Sequence, residues 1–205
     1  MDVGTFATKG NLIAAKNTLR LSKLGFDLLD RKRNILIREL MSLVDEAAEL
    51  QGEINKTFED AFAALRGAAI DMGIDKVDSM SRAVPIENGV NLKIRSVMGV
   101  EIPKVSLDEG EDSPPFGMYS MTTSLDNAYR HFKKVKEMSL RLAEIETAAF
   151  RLAVNVRKTQ KRANALKNIM IPRYENLVGD ITNSLEEKER EEFTRLKVIK
   201  IQKKK

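Results

Sequence analysis

Cysteine and tryptophan are missing altogether, histidine occurs once, as His131, and only five prolines and eleven glycines are spread over 205 residues. The lack of thiols removes thiol catalysis, disulfides and thiolate metal sites, and one imidazole cannot build a histidine-based metal cluster. Aromatics are also scarce, three Tyr and eight Phe, whereas Asp, Glu, Lys and Arg together make up 32% of the chain. A thick globular core fits that balance poorly; a thin core between paired helices needs mainly Leu, Ile, Ala and Met. No Gly-rich phosphate loop, nucleophile triad or metal cluster can be read, so an enzyme is the weakest reading and no cofactor is expected. Residues 1–10 lack an apolar signal core, and no stretch approaches the roughly 18 apolar residues of a membrane span. A soluble, cytoplasmic chain without direct membrane insertion is the expectation.

What the sequence does contain is periodicity. Steps of three and four residues link Leu12, Ala15, Leu19, Ser22, Phe26, Leu29, Arg33, Leu36, Leu40, Leu43, Ala47, Leu50, Ile54, Thr57, Ala61 and Ala64, and thirteen of these sixteen are apolar. A match sustained over seven heptads predicts the seam of a left-handed coiled coil. No proline precedes Pro85, so a single helix of about 55 to 60 residues is expected. A second seam runs through Leu125, Ala128, Phe132, Val135, Met138, Leu142, Ile145, Ala149, Leu152, Val156, Thr159, Ala163, Leu166, Met170 and Leu177. Its repeated three-residue step at Val135 to Met138 predicts local overwinding. Pro172 removes one helical hydrogen bond, and a bend near Ile169 to Pro172 is expected because the period resumes with Leu177, Ile181 and Leu185.

Between the seams the pattern changes. Residues 73–123 hold four of the five prolines and five of the eleven glycines. Val90, Leu92 and Ile94 alternate with polar residues, and Val100, Ile102 and Pro103 follow Met98-Gly99, which reads as a short β-hairpin. Asn88-Gly89 competes as the turn. The acidic residues 108–115 read as a mobile loop. Two long seams joined by so compact a connection must pair antiparallel. The expected fold is therefore all-α: a long antiparallel two-helix coiled coil with a small β-hairpin insertion at the end opposite the termini. Its parts are an N-terminal helix over 1–72, the insertion over 73–123, a C-terminal helix over 124–196, and a frayed basic tail over 197–205.

Charge is distributed in blocks. The formal net charge is +5, yet residues 150–173 carry seven bases and no acid, while 175–192 carry seven acids against two bases. A basic collar beside an acidic one suits docking between charged protein surfaces better than tracking a uniform polyphosphate, and the interleaved aromatics of a nucleic-acid platform are missing. The bases Arg157, Lys158, Lys161 and Arg162 read by default as a solvated helix face. Arg33, at a core heptad position, reads as a snorkelling register marker, with a bridge to a partner's acid as the alternative. Gly25 in a helix interior points to close backbone approach.

Several segments resemble one family. Thr8-Lys9-Gly10-Asn11-Leu12 followed by Gly25-Phe26-Asp27-Leu28-Leu29-Asp30-Arg31-Lys32-Arg33 resembles the first helix of V-type (archaeal or vacuolar-type) ATPase D subunits. Gly99-Val100-Glu101-Ile102-Pro103 resembles that family's middle element. Asn164-Ala165-Leu166, Ile171-Pro172 and the run from Leu185 through Glu192-Phe193 to Lys197 resemble its C-terminal block. The resemblance implies a non-catalytic central-stalk shaft of a rotary motor. Its termini would enter a catalytic hexamer of A and B subunits, a small F subunit would bind its side, and its other end would sit in a socket on the membrane ring. Lys32, Arg33 and the basic collar become the expected partner contacts. A prefoldin-like chaperone, which also joins two helices through a hairpin, is the alternative; it lacks the Ile171-Pro172 and Glu-rich C-terminal elements. Replacing Leu40 or Leu43 with Ala is expected to cost about 2 to 5 kcal/mol, the range for truncating a buried leucine.

Overall fold

The computed structural model describes residues 6–84, 86, 89–107, 117 and 122–203. The expected loop over 108–115, and Asn88 of the alternative turn, lie outside them. Helix α1 (Lys9–Met72) is followed by a short helix α2 (Ile74–Ser81), strands β1 (Val90–Val97) and β2 (Val100–Leu107), helix α3 (Thr123–Ala165), a π-helical turn (Leu166–Met170) and helix α4 (Ile171–Gln202). The fold is all-α, an antiparallel helical coiled coil with a small β-hairpin inserted between its helices.

Helix α1 has 64 residues, longer than the seam alone suggests, because Ala68 continues the stripe and is fully buried. Thr8 caps its start: the Thr8 hydroxyl accepts from the Asn11 N–H at 3.2 Å and the Thr8 carbonyl from the Leu12 N–H at 3.0 Å. It stops at Gly73, whose φ of +88° an L side chain would resist. Thr122 caps α3 in the same way, its hydroxyl accepting from the Leu125 N–H at 3.4 Å. Helix α2 has no buried residue. Its eight residues are too few to carry a periodic signal, which is why the sequence pattern did not reveal it.

The chain forms two compact units, Met1–Ile35 with Val156–Lys205 and Leu36–Asn155. In the second, α1 and α3 run antiparallel: Glu46 pairs with Arg141 at 2.8 Å, the Thr57 hydroxyl lies 3.9 Å from the Met138 sulfur, Phe62 meets Phe132 edge-on at 5.5 Å, and the Ser124 hydroxyl donates to Asp71 at 2.6 Å. In the first, Arg33 reaches Gln160 at 2.9 Å, Lys23 pairs with Glu175 at 2.6 Å, and Lys9 pairs with Glu189 at 3.1 Å, again antiparallel. None of the seam positions read from either stripe is exposed. Leu36 and Leu152 are the largest fully buried side chains. Leu19, Phe26, Leu29, Leu40, Leu43, Leu50, Leu142, Val156 and Leu166 are half-buried, while Ile54 and Ile145 are buried. A two-helix core is too thin to cover every seam residue fully.

Pro172 is absorbed by a local change of pitch. The π-turn over Leu166–Met170 directly precedes α4, in which the proline occupies the first turn. A π-turn widens the ring of backbone bonds, which relieves the clash between the proline ring and the preceding carbonyl and leaves its missing N–H where none is needed. The helix then continues to Gln202, so residues 197–202 of the expected frayed tail are helical, with every side chain exposed.

The hairpin turns at Met98-Gly99, not at Asn88-Gly89. Val97 pairs with Val100 across a two-residue loop, and Met98 and Gly99 have φ of +50° and +75°, the double positive φ of a tight type I′ hairpin. Only Val100 among its apolar residues is fully buried. The hairpin belongs to the unit that lacks the chain termini and lies along α3: the Val105 N–H donates to Glu144 at 2.7 Å, and the Arg151 guanidinium donates to the Glu101 carbonyl at 3.1 Å.

Burial moves the largest truncation cost away from Leu40 and Leu43. Urea unfolding of Leu36→Ala is expected to show a loss of about 2 to 5 kcal/mol, and half-buried Leu40→Ala about half as much. Gly25→Ala is expected to be neutral or stabilising by up to about 1 kcal/mol. A methyl there would meet Leu166 Cδ1 at 3.6 Å, an ordinary contact that does not force the backbones apart.

Candidate functional site

Among the described residues, no catalytic groups are gathered into an enclosed cleft. The groove beside Glu186, Glu189, Arg190, Phe193 and Thr194 is open, and its carboxylates sit on one exposed helix face. Four arrangements of side chains on the coil stand out.

The first is a polar pin across the seam. Arg33 leaves α1 at a core position with its side chain 24% exposed. One of its nitrogens donates to Gln160 of α3 at 2.9 Å; another reaches Asp30 at 2.6 Å and Asn34 at 3.0 Å. Gln160 in turn donates to Asn164 at 2.8 Å. The guanidinium thus has partners within the chain on both helices. Polar groups at a seam position match only one alignment of the two helices, so they select register at some cost in stability.

The second is the basic collar. Arg157, Lys158, Lys161 and Arg162 are all exposed and make no ion pair among the described residues. Their neighbour on the seam side, Thr159, is buried, which turns the four charges outward. Lys32, on α1, is half-buried beside Arg33. Farther along, Arg141 is held protonated more firmly than an ordinary arginine by its hydrogen bond to Glu46, by the charge of that carboxylate, and by Glu144.

Two further features are not evident from the sequence pattern. Leu21, Leu24 and Leu28 on α1 are 64%, 53% and 68% exposed. They repeat the three-and-four spacing two residues out of phase with the seam, about 200° around the helix. In the other unit, Ile37, Met41 and Val44 are also exposed at this spacing, one residue out of phase with the seam and about 100° around the helix. The signal was present as a second, parallel apolar period, masked by the stronger seam. The other is the end of α4, where Phe193, Leu196, Ile199 and Ile201 are all exposed. Both features remain open among the described residues.

Comparison with known proteins yields one consistent result. The profile of the ATP synthase D-subunit family matches residues 11–201. The D subunit of the V-type ATP synthase of Thermotoga neapolitana is 44% identical over 193 residues, covering 94% of this chain and 95% of that protein. The D subunit of the A-type ATP synthase of Pyrococcus abyssi is 36% identical over 196 residues, covering 94% and 92%. That of Methanobrevibacter smithii is 36% identical over 200 residues, covering 96% and 87%.

The polar pin generates its own test. Gln160→Ala removes the cross-helix acceptor of Arg33 and is expected to cost about 1 to 3 kcal/mol in urea unfolding, as for a hydrogen bond to a charged group. Arg33→Met is expected to cost less, or to stabilise, because it removes the desolvated charge together with its need for partners.

Proposed function

Because this chain belongs to the ATP synthase D-subunit family, we propose that it is the central-stalk shaft of a V-type rotary ATPase, transmitting torque and carrying out no chemistry itself. The single observation that carries the proposal is the pair of matched seams. A shaft must resist twisting, and an interface in which none of the seam side chains is exposed resists slippage of one helix past the other. Torque would pass between a catalytic hexamer of A and B subunits and an ion-translocating membrane ring.

The uncovered surfaces support this assignment of partners. Exposed Phe193, Leu196, Ile199 and Ile201 give the terminal segment apolar area to seat inside the hexamer. The basic collar would face acidic surfaces of the hexamer or of a small F subunit on the side of the coil, and the outward leucines of α1 would supply apolar area for such a partner. The remaining end of the shaft would sit in a socket above the membrane ring. No helix among the described residues is long and apolar enough to cross a membrane, so attachment would run through these partners, on the cytoplasmic face.

The test is direct observation of rotation. A bead fixed to this chain in the immobilised complex is expected to turn in one direction when ATP is supplied; a bead that stays still while ATP hydrolysis continues contradicts the shaft assignment. Replacing Arg157, Lys158, Lys161 and Arg162 with Gln is expected to weaken complex assembly or coupling by about tenfold while moving the melting temperature of the isolated chain by less than about 2 °C, as for exposed charges without partners. Equal losses in both would assign the collar to folding.

A further inference from the structure

The two edges of the hairpin are treated differently by the rest of the chain. Val97 and Val100 close a two-residue turn and so exchange ladder hydrogen bonds, as does every second pair beyond them, Arg95 with Ile102 and Lys93 with Lys104. The alternate residues direct their backbone groups outward. On β2 two of those outward groups are occupied and one donor is missing. The Glu101 carbonyl accepts from Arg151, Pro103 has no N–H to offer, and the Val105 N–H donates to Glu144. On β1 the outward residues are Val90, Leu92, Ile94 and Ser96, and the backbone groups of the last three have no partner among the described residues.

The side chains of the open edge divide by face. Leu92 and Ile94 share one face and are each 70% exposed. Lys93 and Arg95, on the opposite face, are exposed and make no ion pair among the described residues. We infer that the β1 edge is a strand-addition site for an extended segment of a partner polypeptide in which apolar and acidic residues alternate. The backbone would supply hydrogen bonds, Leu92 and Ile94 would meet the apolar residues, and Lys93 and Arg95 would meet the acids. A second copy of this chain is the poorer occupant, since edge-to-edge pairing sets Lys93 and Arg95 against the same cations. The inference rests on the hairpin alone and does not require the torque reading.

Residue-resolved hydrogen exchange on the full chain, alone and in its assembled complex, tests it. The Leu92, Ile94 and Ser96 amides are expected to slow by about tenfold or more on assembly, while those of Lys93 and Arg95, already bonded in the ladder, change little. Uniform slowing of the whole strand, or none, overturns the proposal. A synthetic octapeptide alternating Val with Glu provides the second arm. It is expected to bind the isolated chain about tenfold more tightly than the same peptide with Lys for Glu. Ile94→Pro, which deletes one outward N–H and leaves the ladder intact, is expected to abolish binding while the Lys93 and Arg95 amides keep their protection. Equal binding by the Val-Lys peptide, undiminished binding by Ile94→Pro, or sedimentation showing Leu92-dependent dimers would each overturn it.

Discussion

Neither long helix of this protein can bury its own apolar stripe. A helix of α1's length exposes a row of Leu, Ile and Ala side chains along one side, and the matching row lies on α3 continued by α4. Burial of each row against the other is therefore the constraint on which the remaining features depend. The rows meet antiparallel, as the pairing of Glu46 with Arg141 and Asp71 with Ser124 in one unit, and of Lys23 with Glu175 and Lys9 with Glu189 in the other, shows. Their burial also explains the composition: small and aliphatic residues fill a narrow seam, and charge covers most of the rest.

The seam is not uniformly greasy, and its departures have physical consequences. Ser22, Thr57 and Thr159 are buried at core positions, and Arg33 sends its guanidinium across to Gln160. The Thr57 hydroxyl is satisfied by the Glu53 carbonyl at 2.9 Å, and among the described residues no buried side-chain polar atom lacks a partner. A heptad pattern alone permits the helices to slide by seven residues with apolar groups still facing apolar groups. Polar residues that find partners in only one alignment remove that freedom. The π-turn before Pro172 acts at the same level: it takes up the missing hydrogen bond locally, so that the seam resumes in phase at Ile181, which is 5% exposed. Slippage and loss of phase are the two ways such an interface fails, and each has a specific residue set against it.

Most of this architecture was legible in the sequence because long, strongly periodic segments carry redundant information. The two seams, their antiparallel pairing and a short hairpin between them were legible, whereas the turn stayed open between Met98-Gly99 and Asn88-Gly89 because both pairs suit a tight turn. The parts that were not legible are those with little periodicity or with two periods superimposed. Helix α2 has eight residues and buries none of them, so no pattern marked it. The outward leucines Leu21, Leu24 and Leu28 repeat at the same spacing as the seam and were hidden behind it. The clustered lysines of the tail suggested fraying, yet helix α4 runs to Gln202; lysine is itself a good helix former, so charge alone does not end a helix that is already nucleated. At Pro172 the sequence announced a disturbance without specifying its form, since a kink and a π-turn answer the same missing N–H.

The dependence of each helix on the other can be measured by expressing Lys9–Met72 and Thr123–Gln202 as separate polypeptides and following helicity by circular dichroism. Each alone should lose much of its helix or self-associate, and mixing should restore the helicity of the intact chain at a one-to-one ratio. Two monomers that are each fully helical in isolation, with no gain on mixing, would contradict the account.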